Sequence, residues 1–292
     1  MNAIHVIEPG LESTVQDLGR FGYAQLGVSA SGAADALALR AGNLLVGNAE
    51  NAAALEMTLT GATLVFEGDA VIAVTGSDFG ADLPLWSAVE MKTGSVARFG
   101  ATRSGARCYV AVRGGLAVGK VLGSASMHVA SGLGGRPLAK GAILPIGNEA
   151  IRRARSVRAA QPPAEGPLRV TRGPQADWFG DELYGAPYTV TASWNRMGVR
   201  LHGPPVPSPA GHMLTEGVGL GAVQIPPNGQ PIILFVEHQT TGGYPKPASV
   251  ISADLWRVGQ LVPRREVRFE LVSLEAAREL LRRQEEWLYS LV

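Results

Sequence analysis

The run PIILFV (231–236) passes directly into EHQTTGGYP (237–245). The first six residues are almost wholly apolar and read as a buried strand. The change after them is abrupt: Gln239, Thr240, Thr241, Gly242, Gly243 and Tyr244 bring an amide, two hydroxyls, two glycines and a phenol ahead of Pro245. Loops held by rigid strands are where binding groups concentrate. The same pattern also serves as a plain corner of a β-barrel, so the stretch alone leaves both readings open.

Outward from it, short apolar runs and turn residues recur. PYTVTASW (187–194), GVRLHG (198–203), AVQIPPNGQPIILFV (222–236) and EVRFELVS (266–273) read as strands and hairpins, with Pro226-Pro227-Asn228-Gly229 as a turn. LEAARELLRRQEEWLYSLV (274–292) closes the sequence as an amphipathic helix, with Ser273 as its cap and Glu279/Arg283 as an i,i+4 pair. In the first half, residues 4–7 form a short strand before the turn Pro9-Gly10. SGAADALALRAGNLLVG (31–47) predicts a helix burying Ala33, Leu37, Leu44 and Leu45, stopped at Gly47. ATLVFEGDAVIAVTG (62–76) predicts two strands around Gly68-Asp69, and RCYVAV (107–112) another.

A length of 292 residues exceeds what one ordinary core needs, so two domains are expected, with one large β domain as the alternative. The polar, basic, Pro-rich stretch 149–167 interrupts the strand pattern. The expected division is 1–150, a linker 151–167, and 168–292. A glycine ahead of an apolar strand and paired glycines after it occur at 105–115 and again at 229–243, an echo that either duplication or chance explains.

The 37 glycines and 19 prolines, with only 17% charged residues, favour many short strands. A net charge of +1 excludes a global field for nucleic acid or an anionic membrane. RRARSVR (152–158) reads as a solvated linker. Cys108, the single cysteine, permits no internal disulfide and sits in an apparent buried strand. No apolar run is long enough to span a bilayer, and the N-terminus lacks a secretory pattern, so a cytoplasmic location is expected.

SGLGGR (131–136) and GVGLG (217–221) lack the Lys-Ser/Thr ending of a P-loop; an anion site using backbone amides and Arg136 remains open. The five histidines (5, 128, 202, 212 and 238) show no metal-binding spacing, so no metal is expected. There is no GxSxG elbow.

Four polar stretches remain. The first, 14–35, holds Gln16, Asp17, Arg20, Ser29, Ser31 and Asp35, for which structural roles are also read: Asp17 paired with Arg20, Ser31 as a helix cap. In the second, 193–204, Asn195 and Arg196 stand at an expected hairpin turn. The third, 215–229, holds Glu216 and Gln224, and the fourth is 239–245. They supply amides, hydroxyls, guanidinium and carboxylate groups but no strong nucleophile. That set suits a small amide-like molecule, whose carbonyl and N–H groups match Gln, Thr and backbone amides, while Arg stabilises charge developing on oxygen.

PGLESTVQDLGRFGY (9–23), GVSASGAADALALRAGNLLVGN (27–48), LEMTLTGATLVF (55–66), NRMGVRL (195–201), EGVGLGAVQIPPNGQPIILFVEHQTTGGYP (216–245) and SADLWRVGQLVP (252–263) together resemble the 5-oxoprolinase C-subunit family. That family is also called allophanate hydrolase subunit 2, KipA-like or biotin-dependent carboxyltransferase-like. The resemblance implies a mainly β fold of two tandem cyclophilin-like β-barrels with few helices. It implies two partners, the A subunit of 5-oxoprolinase and its KipI-like B subunit, and an ATP-driven opening of 5-oxoproline to glutamate. Relatives imply two alternatives: a biotin-dependent carboxyltransferase component acting on urea or a related amide, and a non-catalytic regulatory binding protein. The sequence departs from the family pattern at Glu237-His238 (usually Asp-Arg), Ala34 (Met), Ala125 (Arg) and Arg264-Arg265 (Gly-Asp).

On that resemblance, Gln239, Thr240, Thr241, Gly242, Gly243 and Tyr244 are expected to line a substrate pocket with Asn195, Gln224, Gln16, Asp17, Arg20 and Ser31. Arg20 or Arg196 is expected to bind a carboxylate or phosphate. Glu216 or Asp35 is expected to act as acid or base.

Overall fold

A computed structural model describes residues 2–148, 150–154, 159, 165–208 and 213–291. Much of the expected linker 151–167, and His212, lie outside the described residues. The chain divides into two compact units, one of residues 1–20, 31–162 and 286–292, the other of 21–30 and 163–285.

The first unit holds nine strands: β1 (Ala3–Glu8), β2 (Glu12–Gln16), β3 (Ala54–Thr58), β4 (Thr63–Phe66), β5 (Ala70–Gly76), β6 (Ala88–Met91), β7 (Val96–Arg98), β8 (Arg107–Val112) and β9 (Ile143–Pro145). They form a four-stranded sheet, β7-β4-β1-β9, and a five-stranded sheet, β2-β3-β8-β5-β6. β8 lies in the middle of the larger sheet, and all six of its residues are buried. A strand covered on both faces must be apolar throughout rather than alternating, and RCYVAV is nearly so. Cys108 is one of these buried residues, and burial pushes its thiol well above the ordinary pKa. Leu64, Phe66, Ile72, Val74 and Val110 belong to the same core cluster. Burying each such side chain contributes about 1.5–3 kcal/mol.

Helix α1 (Ala36–Leu45) packs on β5 and β8. Gly42 permits the close approach: a Cβ there would lie 3.0 Å from Thr75 Oγ1 and 3.2 Å from the Ala111 methyl. Thr75 Oγ1 donates to the Ala38 carbonyl at 2.7 Å. The helix begins later than the sequence pattern suggests. Ser31 and Gly32 have φ of +56° and +99°, which right-handed helix excludes. The cap is therefore Asp35, whose Oδ1 accepts from Ala38 N at 2.8 Å, and not Ser31. The expected stop at Gly47 is present, with φ of +80°.

The second unit holds β10 (Leu168–Arg172), β11 (Tyr188–Val190), β12 (Gly198–His202), β13 (Glu216–Gly217), β14 (Ala222–Gln224), β15 (Ile232–Leu234), β16 (Thr241–Gly242), β17 (Ala248–Val250), β18 (Glu266–Val267) and β19 (Phe269–Leu271). Eight of them form one sheet in the order β18-β11-β12-β15-β14-β17-β10-β19. Its two outermost strands are separated by Arg268 alone, so the chain itself draws the sheet edges together into a nearly closed barrel. Tyr188 and Phe269 meet inside it, ring centroids 6.0 Å apart. The expected turn at 226–229 is present, with Gly229 N donating to Pro226 O at 2.9 Å. Short helix α2 (Leu255–Gly259) follows β17. Helix α3 (Leu274–Tyr289) is capped by Ser273 Oγ, which accepts from Ala276 N at 3.1 Å, and Glu279 binds Arg283 at 2.7 Å, as expected. The chain is thus mainly β with few helices, as anticipated. Among the described residues no helix is long and apolar enough to cross a membrane.

Gly114 closes the tight turn after β8, with φ of +92° and a hypothetical Cβ only 1.9 Å from the Gly147 carbonyl oxygen. Gly114→Ala is expected to cost at least about 1–3 kcal/mol through backbone strain alone, read as a lower urea midpoint by circular dichroism.

Candidate functional site

The expected site residues fall in both units. In the second unit the loop after β15 is anchored at its entry. Arg196 and Glu237 are both buried, with Arg196 Nε 2.5 Å from Glu237 Oε1, and Glu237 N donates to Arg196 O at 2.8 Å. The guanidinium expected to meet a substrate anion already has a carboxylate partner. Asn195 is exposed, and its Oδ1 accepts from Met197 N at 2.9 Å and Gly198 N at 3.1 Å, forming the hairpin turn that sets Arg196 in place. Next along the loop, His238 Nδ1 lies 2.6 Å from Gln239 O, a distance that requires the Nδ1–H tautomer. Burial holds the His238 imidazole below its ordinary pKa.

Beyond the entry, β16 pairs with β13, setting Glu216 opposite Gly242 and Gly217 opposite Thr241. Gln239 and Thr241 are exposed, Thr240 and Gly242 half-buried, and Gly243 and Tyr244 exposed. Underneath lies Gln224 in β14, buried, its Oε1 3.5 Å from Gln239 Nε2. The Gln224 Nε2 is buried with no hydrogen-bond partner. A Cβ at Gly242 would come within 2.7 Å of that nitrogen, so glycine keeps the loop backbone close to the amide. Glu216 Oε1 is 2.5 Å from Lys246 Nζ and accepts from Gln175 Nε2 at 2.9 Å. Lys246 and Gln175 were not among the sequence candidates. Lys246 directly follows the quoted loop, but its link to Glu216 arises from the β13–β16 pairing.

In the first unit Asp17 is the hub. Its Oδ1 accepts from Ser124 Oγ and Ser126 Oγ, each at 2.6 Å, and from Gly19 N at 2.8 Å. Its Oδ2 accepts from Ala125 N at 2.7 Å. Burial by itself raises the carboxyl pKa, but the serine and backbone hydrogen bonds outweigh it and hold the group below its ordinary value. Buried Arg20 donates to Ser126 O and, at 3.4 Å through Nε, to Val121 O. Gln16 Nε2 and Ser31 Oγ both donate to Met127 O at 3.0 Å. Ala125, between Ser124 and Ser126, packs in the hydrophobic core.

Asp35 is tied to a second buried group that the sequence reading missed. Its backbone N donates to Tyr109 Oη at 2.7 Å, Tyr109 Oη donates to Glu56 Oε2 at 2.6 Å, and Arg107 Nε stands 3.5 Å from Glu56 Oε1. Burial, then the Glu56 charge, pushes the Tyr109 hydroxyl well above its ordinary pKa. Glu56 is the one charged residue of a fully buried strand, and an acid in such a run is the sequence signal of a paired buried charge.

A cavity of about 580 Å³ opens in the first unit, lined by residues that include Asn2, Asp69, Glu90, Lys92, Arg113 and Asn148. None of the candidate residues lines it, so the chemistry-bearing clusters, not this cavity, are the site candidates. Among the described residues no group of three or more His, Cys, Asp or Glu is placed to hold a metal ion.

A family model described as carboxyltransferase domain, subdomain A and B, matches residues 26–271. The 5-oxoprolinase C subunit of Haemophilus influenzae is 37% identical over 98% of this chain and 96% of its own length. The urea amidolyase of Saccharomyces cerevisiae is 34% identical over 99% of this chain but only 18% of its own length. The crystal structure of Kluyveromyces lactis urea carboxylase superposes with a TM-score of 0.89 at 28% identity, covering 99% of this chain and 29% of that one.

The Asp17 hub gives a signed pH dependence. A carboxyl held below 3.8 in the folded chain stabilises the fold above that value and loses the contribution as pH falls through its folded pKa. Asp17→Asn is expected to destabilise the chain at pH 7 by about 2–4 kcal/mol. Urea melts from pH 6 to 3 should show a smaller fall in stability for the variant than for the wild type.

Proposed function

The chain belongs to the carboxyltransferase-domain family, subdomains A and B, and we propose that within it the chain is the C subunit of a 5-oxoprolinase, opening 5-oxoproline to glutamate together with the A and B subunits. The observation that carries this reading is the end-to-end match: 37% identity over 98% of this chain and 96% of a 5-oxoprolinase C subunit. Urea amidolyase matches as a small part of a much larger protein.

The second-unit cluster suits the substrate. A five-membered lactam offers a carbonyl acceptor, one N–H and a carboxylate. Gln239, Thr240 and Thr241 supply amide and hydroxyl groups around the Gln224 amide, and Glu216 supplies an acceptor for the N–H. The Asp17–Arg20–Ser31 cluster of the first unit shapes its own loop. In this reading water adds to the lactam carbonyl carbon and the C–N bond breaks, so that water supplies the new carboxyl oxygen and the ring nitrogen takes up a proton as the amine; ATP hydrolysis in the complex would supply the driving force. Neither glycine-rich loop of this chain opens a helix, and neither carries the Lys-Ser/Thr ending, so neither fits a P-loop.

A carboxyltransferase component acting on urea or a related amide is the second reading, favoured by the 0.89 superposition on urea carboxylase. Purified chain mixed with its two partner proteins, ATP and 5-oxoproline is expected to release glutamate, and omission of any one of the three proteins is expected to abolish it. Absence of glutamate with all components present rejects the first reading. ATP-dependent carboxylation of urea when a biotin carboxylase and biotinylated carrier are added instead supports the second.

A further inference from the structure

We propose that Lys246 and Gln175 are positioning residues that clamp one oxygen of Glu216, leaving its other oxygen as an anionic acceptor for an amide N–H or a water at the Gln239–Tyr244 loop. This deepens the 5-oxoprolinase reading and rests on it only for the identity of the substrate.

The clamp is built from both sides. Lys246 Nζ stands 2.5 Å from Glu216 Oε1, and Gln175 Nε2 donates to the same oxygen at 2.9 Å. Gln175 is fixed in turn: its Oε1 accepts from Lys246 N at 3.0 Å, and its own N donates to Lys246 O at 3.2 Å. Both donors are therefore held by one short stretch of backbone. Among the described residues no donor falls on Oε2. The exposure gradient separates this pair from an internal salt bridge: the Lys246 side chain is 3% exposed and that of Glu216 42%. Arg196 and Glu237, at 4% and 1%, are both sealed in. A buried ammonium is stable only with its counter-charge in place, so Lys246 holds Glu216 as firmly as Glu216 holds it.

Among the described residues the charged group facing Glu216 is Lys246. Gln175 is neutral, and β16 opposite presents Thr241 and Gly242, which do not titrate. Lys246 first, then Gln175, holds the Glu216 carboxyl below its ordinary value. Such a group is ionised at neutral pH and accepts a hydrogen bond; it has no proton to donate as an acid, and a depressed carboxylate is a weak base. Orientation of an N–H or of water is what this geometry offers.

Two readouts test the clamp. In the isolated chain, the Glu216 side-chain carboxyl carbon is followed by NMR titration. Lys246→Met, which keeps the apolar stem, is expected to move its titration upward; Lys246→Arg is expected to keep it low. Gln175→Leu, which leaves the ammonium in place, gives a smaller upward shift and serves if the methionine variant does not fold. An unchanged titration in Lys246→Met, or in Gln175→Leu where that is the variant that folds, overturns the proposal. In the assembled complex, Lys246→Met is expected to move the acidic limb of kcat/KM to higher pH, with Lys246→Arg restoring it, and Glu216→Gln to lower kcat/KM by about 10- to 100-fold. An unmoved limb in an active complex also overturns it. A wild-type complex that makes no glutamate overturns the 5-oxoprolinase reading alone, and the titration still decides the clamp.

Discussion

The second unit depends on one topological constraint: its outermost strands, β18 and β19, are consecutive in sequence with a single residue between them. A sheet whose two edges are covalently joined cannot lie open. It must curl, and its inward side chains must then fill a common interior. Val190, Leu201, Val223, Ile233, Val250 and Phe269, each from a different strand, are all buried. Closure also decides where the polar loops go. With the interior filled, amides and hydroxyls leave the barrel at strand ends, as the stretch after β15 does.

Low overall charge made every ionisable residue in the polar stretches look like a candidate for chemistry. The structure sorts them by what surrounds them. Arg196 is spent on Glu237, and Asp17 on two serines and two backbone amides. Asp254 is matched by Arg169 and Arg257, and Glu56 faces Arg107 and Tyr109. A charge removed from water needs such partners, so burial favours a structural role for each. Glu216 differs in being anchored by a buried cation while its own carboxylate reaches solvent. That asymmetry, more than residue type, is why we propose that Glu216 meets a ligand.

Some local features were legible because they rest on short-range chemistry. Ser273 caps its helix, Gly47 ends one, and the Pro-Pro-Asn-Gly turn joins β14 to β15, each through backbone or neighbouring side-chain contacts only a few residues apart. The start of α1 was misplaced because alanine-rich periodicity says nothing of φ: Ser31 and Gly32 lie in the left-handed region, and Asp35 takes the cap. Gly68-Asp69 joins β4 and β5 as expected, yet these two strands enter different sheets. Pairing partners so far apart in the chain leave no trace in local pattern.

Sequence alone determined the mainly β class, the turn positions and the family motifs, because strand propensity, glycine and proline act over a few residues. Tertiary structure decided which polar side chains are occupied and which remain available. Lys246 reads as an ordinary residue after a tyrosine and a proline, and Glu216 lies 30 positions before it. Only the pairing of β13 with β16, possible once the chain has folded back on itself, brings the ammonium to the carboxylate.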